Sequence, residues 1–520
     1  MGGGRPDRPR AVPSSSPGPR IVHGRLESGQ SRGDVGPALR VYCRGVRFEQ
    51  RWDVLVVGGG ASGTLLAAQL LRKAEGPLRV ALLERTGRVG PGLAYSTQNA
   101  SHLLNVPAGR MSAFPEEPEH FLRWIRRLEP DTAPGDFVQR RRYGQYLEAV
   151  LREAREGAAP GVGLEILQGE VLSISQGADG ARVALARGPT LEASTVVLAV
   201  GNALPADLPV ADGGLYASHR YIRSPWLEGA LRHVRPHHSV LLIGTGLTMV
   251  DTVLSLAEHN HEGRIHAISR HGLLPQVHRP GVVAAPPVPL AEPRRVRSLL
   301  GALRHQSRQQ GEGGDWRAVM DALRPVTASL WRDLPEPERR RFLRHLRSFW
   351  DVHRHRMAPA VNDTLEQLQR AGVLRIHAAR VRGFQLSDEG WVLARVRPRG
   401  FSREATFRVQ HVINCTGPDG SIGRGHPLLR GLLESGLARS DALGLGLATD
   451  AEGALLDAQG RASPVLFTLG PLRRGDLWES TAIPEIRVQA LSLARRLLEH
   501  LASRPGVSAP ESSPQPTPFP

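Results

Sequence analysis

The sequence predicts an α/β protein of two doubly wound, three-layer units, the second inserted in the first, plus a helical insert. Three observations predict this. A strand–glycine turn–helix–strand pattern occurs twice in one register. Each copy leads through β-rich segments to an apolar strand that closes on a glycine. An Arg-rich helical stretch interrupts the second copy. At 520 residues the chain has room for about three domains.

Residues 1–50 are rich in Gly, Pro, Ser and Arg and read as a disordered tail. The first unit opens at 51 and runs to 205. Its first strand enters DVLVVGGGASG, with Gly58, Gly60 and Gly63 in G-x-G-x-x-G spacing, then a helix-capable run from Ser62 to Lys73 and the strand RVALLE ending in Glu84. Glycines there allow a tight turn and close backbone approach. The helix start, Ala61 and Ser62 included, offers free amides to a pyrophosphate. A carboxylate at the end of the second strand accepts an adenosine ribose hydroxyl. The pattern is that of a Rossmann-like dinucleotide-binding unit, and Glu84 points to FAD. Alternating strands LEILQGEVLSIS and ARVALAR follow, and TVVLAVGN closes on Gly201.

The second unit occupies 206–290 and resumes at 373–420. Its turn, VLLIGTGLTMVD, places Gly244 and Gly246 after an apolar strand, with Met249 where the third small residue would stand. The next strand, RIHAISR, ends in Arg270, at the same offset from Gly244 as Glu84 from Gly58. An Arg there suits a ribose 2′-phosphate, so the second nucleotide is read as NADP, with NAD as the alternative. The strands LRIHAARVRGFQL, GWVLARVRPR and ATFRVQ lead to HVINCTGP, which closes on Gly417. Both closing glycines are assigned to cofactor binding.

Between these halves, 291–372 reads as the helical insert. Phe342, Leu346, Phe349 and His353 fall at helical spacing in PERRRFLRHLRSFWDVHRHRM, which predicts an amphipathic packing helix, with a lid or substrate wall that brings His353 or His355 near the active site as the alternative. The chain then returns to the first unit over 421–504. An apolar strand ends at Gly470, a loop carries Asp476 to Thr481, and a terminal helix starts near Ile483. Such a loop and helix start can hydrogen-bond a flavin ring and favour its reduced, anionic form. Gly470, Asp476 and Thr481 are therefore cofactor candidates. The Pro/Ser-rich stretch 505–520 is a second disordered tail.

Several classes are disfavoured. The formal net charge is +17, but fifteen Arg against seven acids lie in 294–356 and ten Arg against four acids in the first 52 residues. No zinc-finger spacing, recognition helix or RNP-type strand accompanies them, so nucleic acid is not an expected partner. Cys43 and Cys415 form no C-x-x-C pair, and Cys415 sits in an apolar run as an inert thiol. No run of ~18 apolar residues or signal-peptide core is present, which leads to a cytoplasmic expectation without membrane association. The histidines lack the spacing and supporting carboxylate of a metal site, so no metal is expected. The expected partner is a small-molecule substrate, with the oligomeric state open.

The segments GPGLAYSTQNASHLLNVPAGRMSAF, FLRHLRSFWDVHRHRM and LWESTAIPEIRVQA together resemble the uncharacterised bacterial FAD/NAD(P)-binding protein family, over roughly residues 51–503. More distantly the chain is similar to flavin-containing and N-hydroxylating monooxygenases. Asn105, Pro107, Met111 and Phe114 resemble the flavin-side motif of the first group. The resemblance implies that Asn105 lies near the nicotinamide and the flavin's reactive edge, as the catalytic candidate. It departs elsewhere: Tyr216, His219 and Trp226 only approximate an F-x-G-x-x-x-H signature. Gly470-Pro471 stands where disulfide-reductase relatives carry Gly-Asp on the flavin ribityl chain, and Asp476 is a displaced substitute. The expected function is an FAD-dependent, NADPH-linked oxidoreductase that passes electrons to oxygen or an organic acceptor, monooxygenase-like. A dehydrogenase or reductase with a non-oxygen acceptor, and a flavin-bound regulatory or scaffold protein, are the alternatives.

Overall fold

The computed structural model describes residues 51–503 except 178, 282–284, 287–294, 310–314 and 424. Both expected tails, and Cys43, lie outside the described residues. In chain order the first part gives β1 (Trp52–Val57), α1 (Ala61–Lys73), β2 (Leu78–Glu84), α2 (Gly92–Tyr95), α3 (His120–Arg126), α4 (Arg140–Glu156), β3 (Val162–Gln168), β4 (Val171–Gln176), β5 (Ala181–Leu185) and β6 (Leu191–Leu198). Next come β7 (Tyr221–Ile222), β8 (Val240–Ile243), α5 (Leu247–Glu258) and β9 (Ile265–Ser269). Helices α6 (Val296–Gln309), α7 (Trp316–Leu323), α8 (Thr327–Asp333), α9 (Glu336–His345), α10 (Arg347–Arg354) and α11 (Pro359–Arg370) precede β10 (Leu374–Leu386), β11 (Val392–Pro398), β12 (Ala405–Val409) and β13 (His411–Asn414). The chain ends with α12 (Pro427–Glu434), β14 (Ala454–Leu456), β15 (Ala462–Thr468), α13 (Arg474–Leu477) and α14 (Ile483–Ala502).

Two sheets result. The first has the order β14-β15-β6-β1-β2-β3, with the β4–β5 hairpin joined to β6 through β5. The second runs β12-β11-β10-β9-β8-β13-β7. Because β7 to β13 fall between β6 and β14 in sequence, the second sheet is inserted in the first. Period-two patterning explains the layers. In β1, Val54 and Val56 join a core with α1, α4 and α14, while Leu55 and Val57 face a core built from the β4–β5 hairpin and α12. In β8, Val240 and Leu242 pack toward α5 and α11, while Leu241 and Ile243 face the β10–β12 meander.

In both sheets the chain winds first to one side and later to the other. β1 pairs in parallel with β2 and β6, and β8 with β9 and β13. Strand order reverses at β1 and at β8, and such switch points open a crevice at the carboxyl ends of the strands. Both glycine turns emerge there.

The predicted single helix across PERRRFLRHLRSFWDVHRHRM is corrected: it is two helices, α9 and α10, that meet at Leu346 (φ −112°, ψ −20°). Leu346 and Phe342 pack into an aromatic knot with Trp331 and Trp478, whose rings stack 4.9 Å apart. Phe342 and Leu346, four residues apart, share one face of α9 and reach the knot together, and past Leu346 it is Trp350 rather than Phe349 that packs there. Phe349 is left 42% exposed, and His353 lies edge-on to Trp316 at 4.6 Å.

Candidate functional site

The two glycine turns share one backbone geometry. Gly58 and Gly244 both adopt φ +109°, and each donates its amide over 2.8 Å to the neighbouring strand, at Leu83 O and Ile268 O. A Cβ on Gly58 would fall 2.4 Å from Ala199 O, and one on Gly244 would fall 2.3 Å from Cys415 O. Each turn is thus pressed against the strand that closes its own unit, and only glycine fits. Gly201 (φ +72°) and Gly417 (φ +83°) follow those closing strands, with open space where their side chains would be. Gly63 lies in the first turn of α1, where a Cβ would meet Gly58 O at 1.9 Å. Its counterpart Met249 instead turns into the apolar core with Leu242 and Met357.

Gly60 and Gly246 stand at the N-caps of α1 and α5 with near-identical dihedrals (−72°, −170° and −83°, −169°), and neither helix has a side-chain cap or an acid in its first turn. Among the described residues, the amides of Ala61, Ser62 and Gly63 have no acceptor. Both helix starts therefore keep donors and positive potential for an anion. Glu84, at the end of β2, accepts the Gly59 amide (2.8 Å) and the Thr86 amide (3.0 Å), which fixes its carboxylate beside the first turn. Arg270 follows β9 beside the second turn, exposed and without an ion pair among the described residues.

The return loop closes on the first turn. Gly470 (φ +76°) donates to Gln489 Oε1 at 2.9 Å, and a Cβ on it would lie 2.7 Å from Ser62 Oγ. Asp476 accepts from Arg473 Nη2 at 3.1 Å, and Thr481 is exposed just before α14. Between them Trp478 adopts φ +60°, ψ −61°, with Glu479 N–H donating to Leu477 O at 2.7 Å. This is a strained γ-turn. It buries Glu479 against the helical insert, where its carboxylate accepts Trp350 Nε1 (2.8 Å) and faces Arg354 (3.7 Å). Burial raises the Glu479 carboxyl, but Arg354, His355 and the Trp350 bond outweigh it and hold it below its ordinary value. Ser480 Oγ and Gln489 Nε2 are buried without a hydrogen-bond partner among the described residues. Free amides, orphaned polar atoms and a glycine cradle fit a large polar, anionic cofactor at the first turn.

A third set of contacts joins the units. His278 Nε2 donates to Asn105 O at 3.1 Å, and burial, then Arg356, push the His278 imidazole down to about 4. The Asn105 side chain makes no hydrogen bond among the described residues. Arg110, just beyond it, faces Asp321 of α7 at 3.6 Å, and Asp321 also pairs closely with Arg356. Arg140, at the start of α4, pairs with Asp251 of α5 at 2.9 Å, with side chains only 11% and 7% exposed. His102 accepts from Thr97 Oγ1 (2.8 Å) and donates to Asp251 O (2.9 Å), so the Thr97–Asn105 loop is tied to the helix of the second turn. Trp226 sits under Arg140 (5.5 Å) and edge-on to His102 (6.0 Å).

The structure thus groups Gly58, Gly60, Ala61, Ser62, Gly63, Glu84, Gly201 and Gly470 at one crevice, and Gly244, Gly246, Arg270 and Gly417 at the other. Asn105 lies on the loop between the units. Sequence reasoning missed the Arg140–Asp251 pair, the Asp321–Arg356 pair and the role of Glu479. Asp251 and Glu479 stand inside motifs already noticed, yet their partners lie far along the chain. Cys415 is buried at the second crevice, and burial pushes its thiol up to about 12. Among the described residues no group of three or more His, Cys, Asp or Glu could hold a metal ion. No helix among them is long and apolar enough to cross a membrane.

Residues 55–203 match the family described as FAD-NAD(P)-binding. Nitrosuccinic acid synthase of Aspergillus oryzae is 27% identical over 221 residues, covering 38% of this chain; the chain spans 34% of that relative's length. Among solved structures, the ornithine N-hydroxylase of Kutzneria sp. 744, with reduced FAD, NADP+ and L-ornithine, superposes with a TM-score of 0.59 at 18% identity, over 86% of this chain and 99% of that one. The reduced ornithine hydroxylase of Pseudomonas aeruginosa gives 0.60 at 16% identity, over 87% and 100%. The L-lysine 6-monooxygenase of Pseudomonas syringae gives 0.60 at 17%, over 86% and 100%. Residues 55–203 thus match the FAD-NAD(P)-binding family, and the chain as a whole shares the fold of these ornithine and lysine hydroxylases.

Proposed function

We propose that the protein is an FAD-dependent, NADPH-linked oxidoreductase that uses oxygen to hydroxylate a small substrate. The observation that carries this reading is the repeated turn: two uncapped helix starts with one geometry, each at a switch point, with a carboxylate beside one and an arginine beside the other. The hydroxylases that share the fold, and the nitrosuccinic acid synthase, support the choice of acceptor.

In this reading the amides of Ala61 to Gly63 hold the FAD pyrophosphate and Glu84 accepts its ribose hydroxyl. Gly201 and Gly470 let backbone approach the same cofactor, and Thr481 with the start of α14 faces its ring end. Gly244, Gly246 and Gly417 receive the nicotinamide dinucleotide, and Arg270 binds its 2′-phosphate. Bound there, FAD supplies the hydride acceptance and oxygen chemistry that no side chain of this chain can provide. Asn105 offers an amide to the reacting edge, held in place by His278 through its carbonyl. The Arg140–Asp251 pair keeps the loop of Asn105 in register with the second turn. Asp476, committed to Arg473, orders the return loop.

Anaerobic mixing of the full chain with NADPH, and separately with NADH, tests the proposal through loss of oxidised-flavin absorbance. Fast bleaching by NADPH and slower bleaching by NADH is the expected result. A yellow protein that neither nucleotide bleaches would refute it.

A further inference from the structure

The three motifs that carry the family resemblance meet in space. The Asn105–Ser112 segment, the α7–α10 helices and the return loop with the start of α14 are joined by Arg110–Asp321, by Trp350–Glu479 and by Arg487 Nη1 donating to Ser112 O at 3.1 Å. The charge balance where they meet is uneven. Asp321 is shared between Arg110 and Arg356, so two guanidiniums have one carboxylate. Around Glu485 the charges balance, because Arg324 (2.7 Å) and Arg354 (3.3 Å) share it and Arg354 also faces Glu479 (3.7 Å), so the excess of cation lies at Asp321. Arg356 is 5% exposed, and its buried Nε has no hydrogen-bond partner among the described residues. His278 beside it adds no compensating negative charge. A cationic amine entering here would meet no uncommitted carboxylate and two guanidiniums, whereas a carboxylate would complete a pair already half built.

Resting on the oxidoreductase reading above, we infer that the face formed by Asn105, Arg110 and Arg356 takes a small substrate of net negative charge, of the acidic amino acid or dicarboxylate class. Arg110, whose side chain is 49% exposed, is the outer specificity-determining residue, and Arg356, fixed by Asp321, is the inner one.

Calorimetric titration of the full-length, FAD-loaded protein with L-aspartate, L-glutamate and succinate, against cadaverine and putrescine, tests the inference. Binding of an acid and not of the diamines is expected. Arg110→Gln should weaken acid binding about tenfold, a loss of about 1.4 kcal/mol, and Arg110→Glu should abolish it. Both changes sit on a half-exposed side chain, which protects the fold. Binding of neither class, equal binding of both, or acid affinity unchanged in both variants would overturn the inference. Its failure is separable from that of the oxidoreductase reading. Arg110-dependent acid binding without NADPH bleaching would leave the charge preference standing, while bleaching without acid binding would remove the charge preference alone.

Discussion

Replacing the two glycines of the second turn one at a time should separate folding from cofactor binding. At Gly244 the backbone sits at φ +109°, and an added Cβ would lie 2.3 Å from Cys415 O and 2.7 Å from the Cys415 carbonyl carbon. The conformation alone costs an L-residue about 1–3 kcal/mol, and forcing apart two backbone segments adds about 1–3 kcal/mol. Gly244→Ala should therefore cost about 2–6 kcal/mol, a large part of a domain's stability. At Gly246 the dihedrals suit any residue, and nothing lies within 4 Å of an added Cβ. The poorer N-cap of Ala and the reduced freedom of the unfolded chain nearly cancel, leaving a change within about 1 kcal/mol. The new methyl would stand over the free amides of α5, where the dinucleotide must approach closely. Thermal unfolding with flavin content, and the KM for NADPH in steady-state oxidation, read the two effects. Gly244→Ala should lower Tm and yield. Gly246→Ala should keep Tm and flavin but raise the NADPH KM about tenfold or more, about 1.4 kcal/mol. If Gly246→Ala left that KM unchanged, the assignment of this turn to the nucleotide would be wrong; if Gly244→Ala were as stable as the parent, the steric argument would be.

Other expectations follow from the same geometry. Arg270→Ala should raise the KM for NADPH about tenfold and leave that for NADH nearly unchanged, because an exposed guanidinium gains its energy only from a 2′-phosphate; equal effects on both would place Arg270 off the nucleotide. Breaking the Arg140–Asp251 pair with Arg140→Met should cost about 3–5 kcal/mol by stranding a buried carboxylate, and adding Asp251→Asn should recover part of that loss in a double-mutant cycle by denaturant unfolding. Burial raises the Asp251 carboxyl and Arg140 opposes it, so the single variant should lose less stability at low pH, where Asp251 is protonated. Burial lowers His266, His278 and His411 each to about 4. The unfolded chain then binds protons below pH ~6.5 that the folded chain refuses until pH ~4. Stability should accordingly be flat above that window and fall through it, and Tm against pH would show whether it does.

The glycine turns were legible because their causes are local. A positive φ, a close backbone approach and a helix start are each written within a few residues of Gly58 and Gly244, and period-two apolar runs mark the strands that hold them. The positions of Glu84 and Arg270 beside the turns were legible for the same reason, since Glu84 ends β2 and Arg270 directly follows β9. The helical insert was legible as helices, but its break at Leu346 was not, because the aromatic knot that bends it draws on Trp331 and Trp478 from different parts of the chain.

Local sequence settled two glycine turns of one geometry, their order and the insertion of one unit in the other, since backbone sterics and hydrophobic period act over short stretches. Which charges meet depended on the folded arrangement. Arg140 finds Asp251, Arg110 and Arg356 share Asp321, and the strained turn at Trp478 delivers Glu479 to Trp350. Electrostatic pairing and burial depend on distance through space, and the fold alone sets that distance.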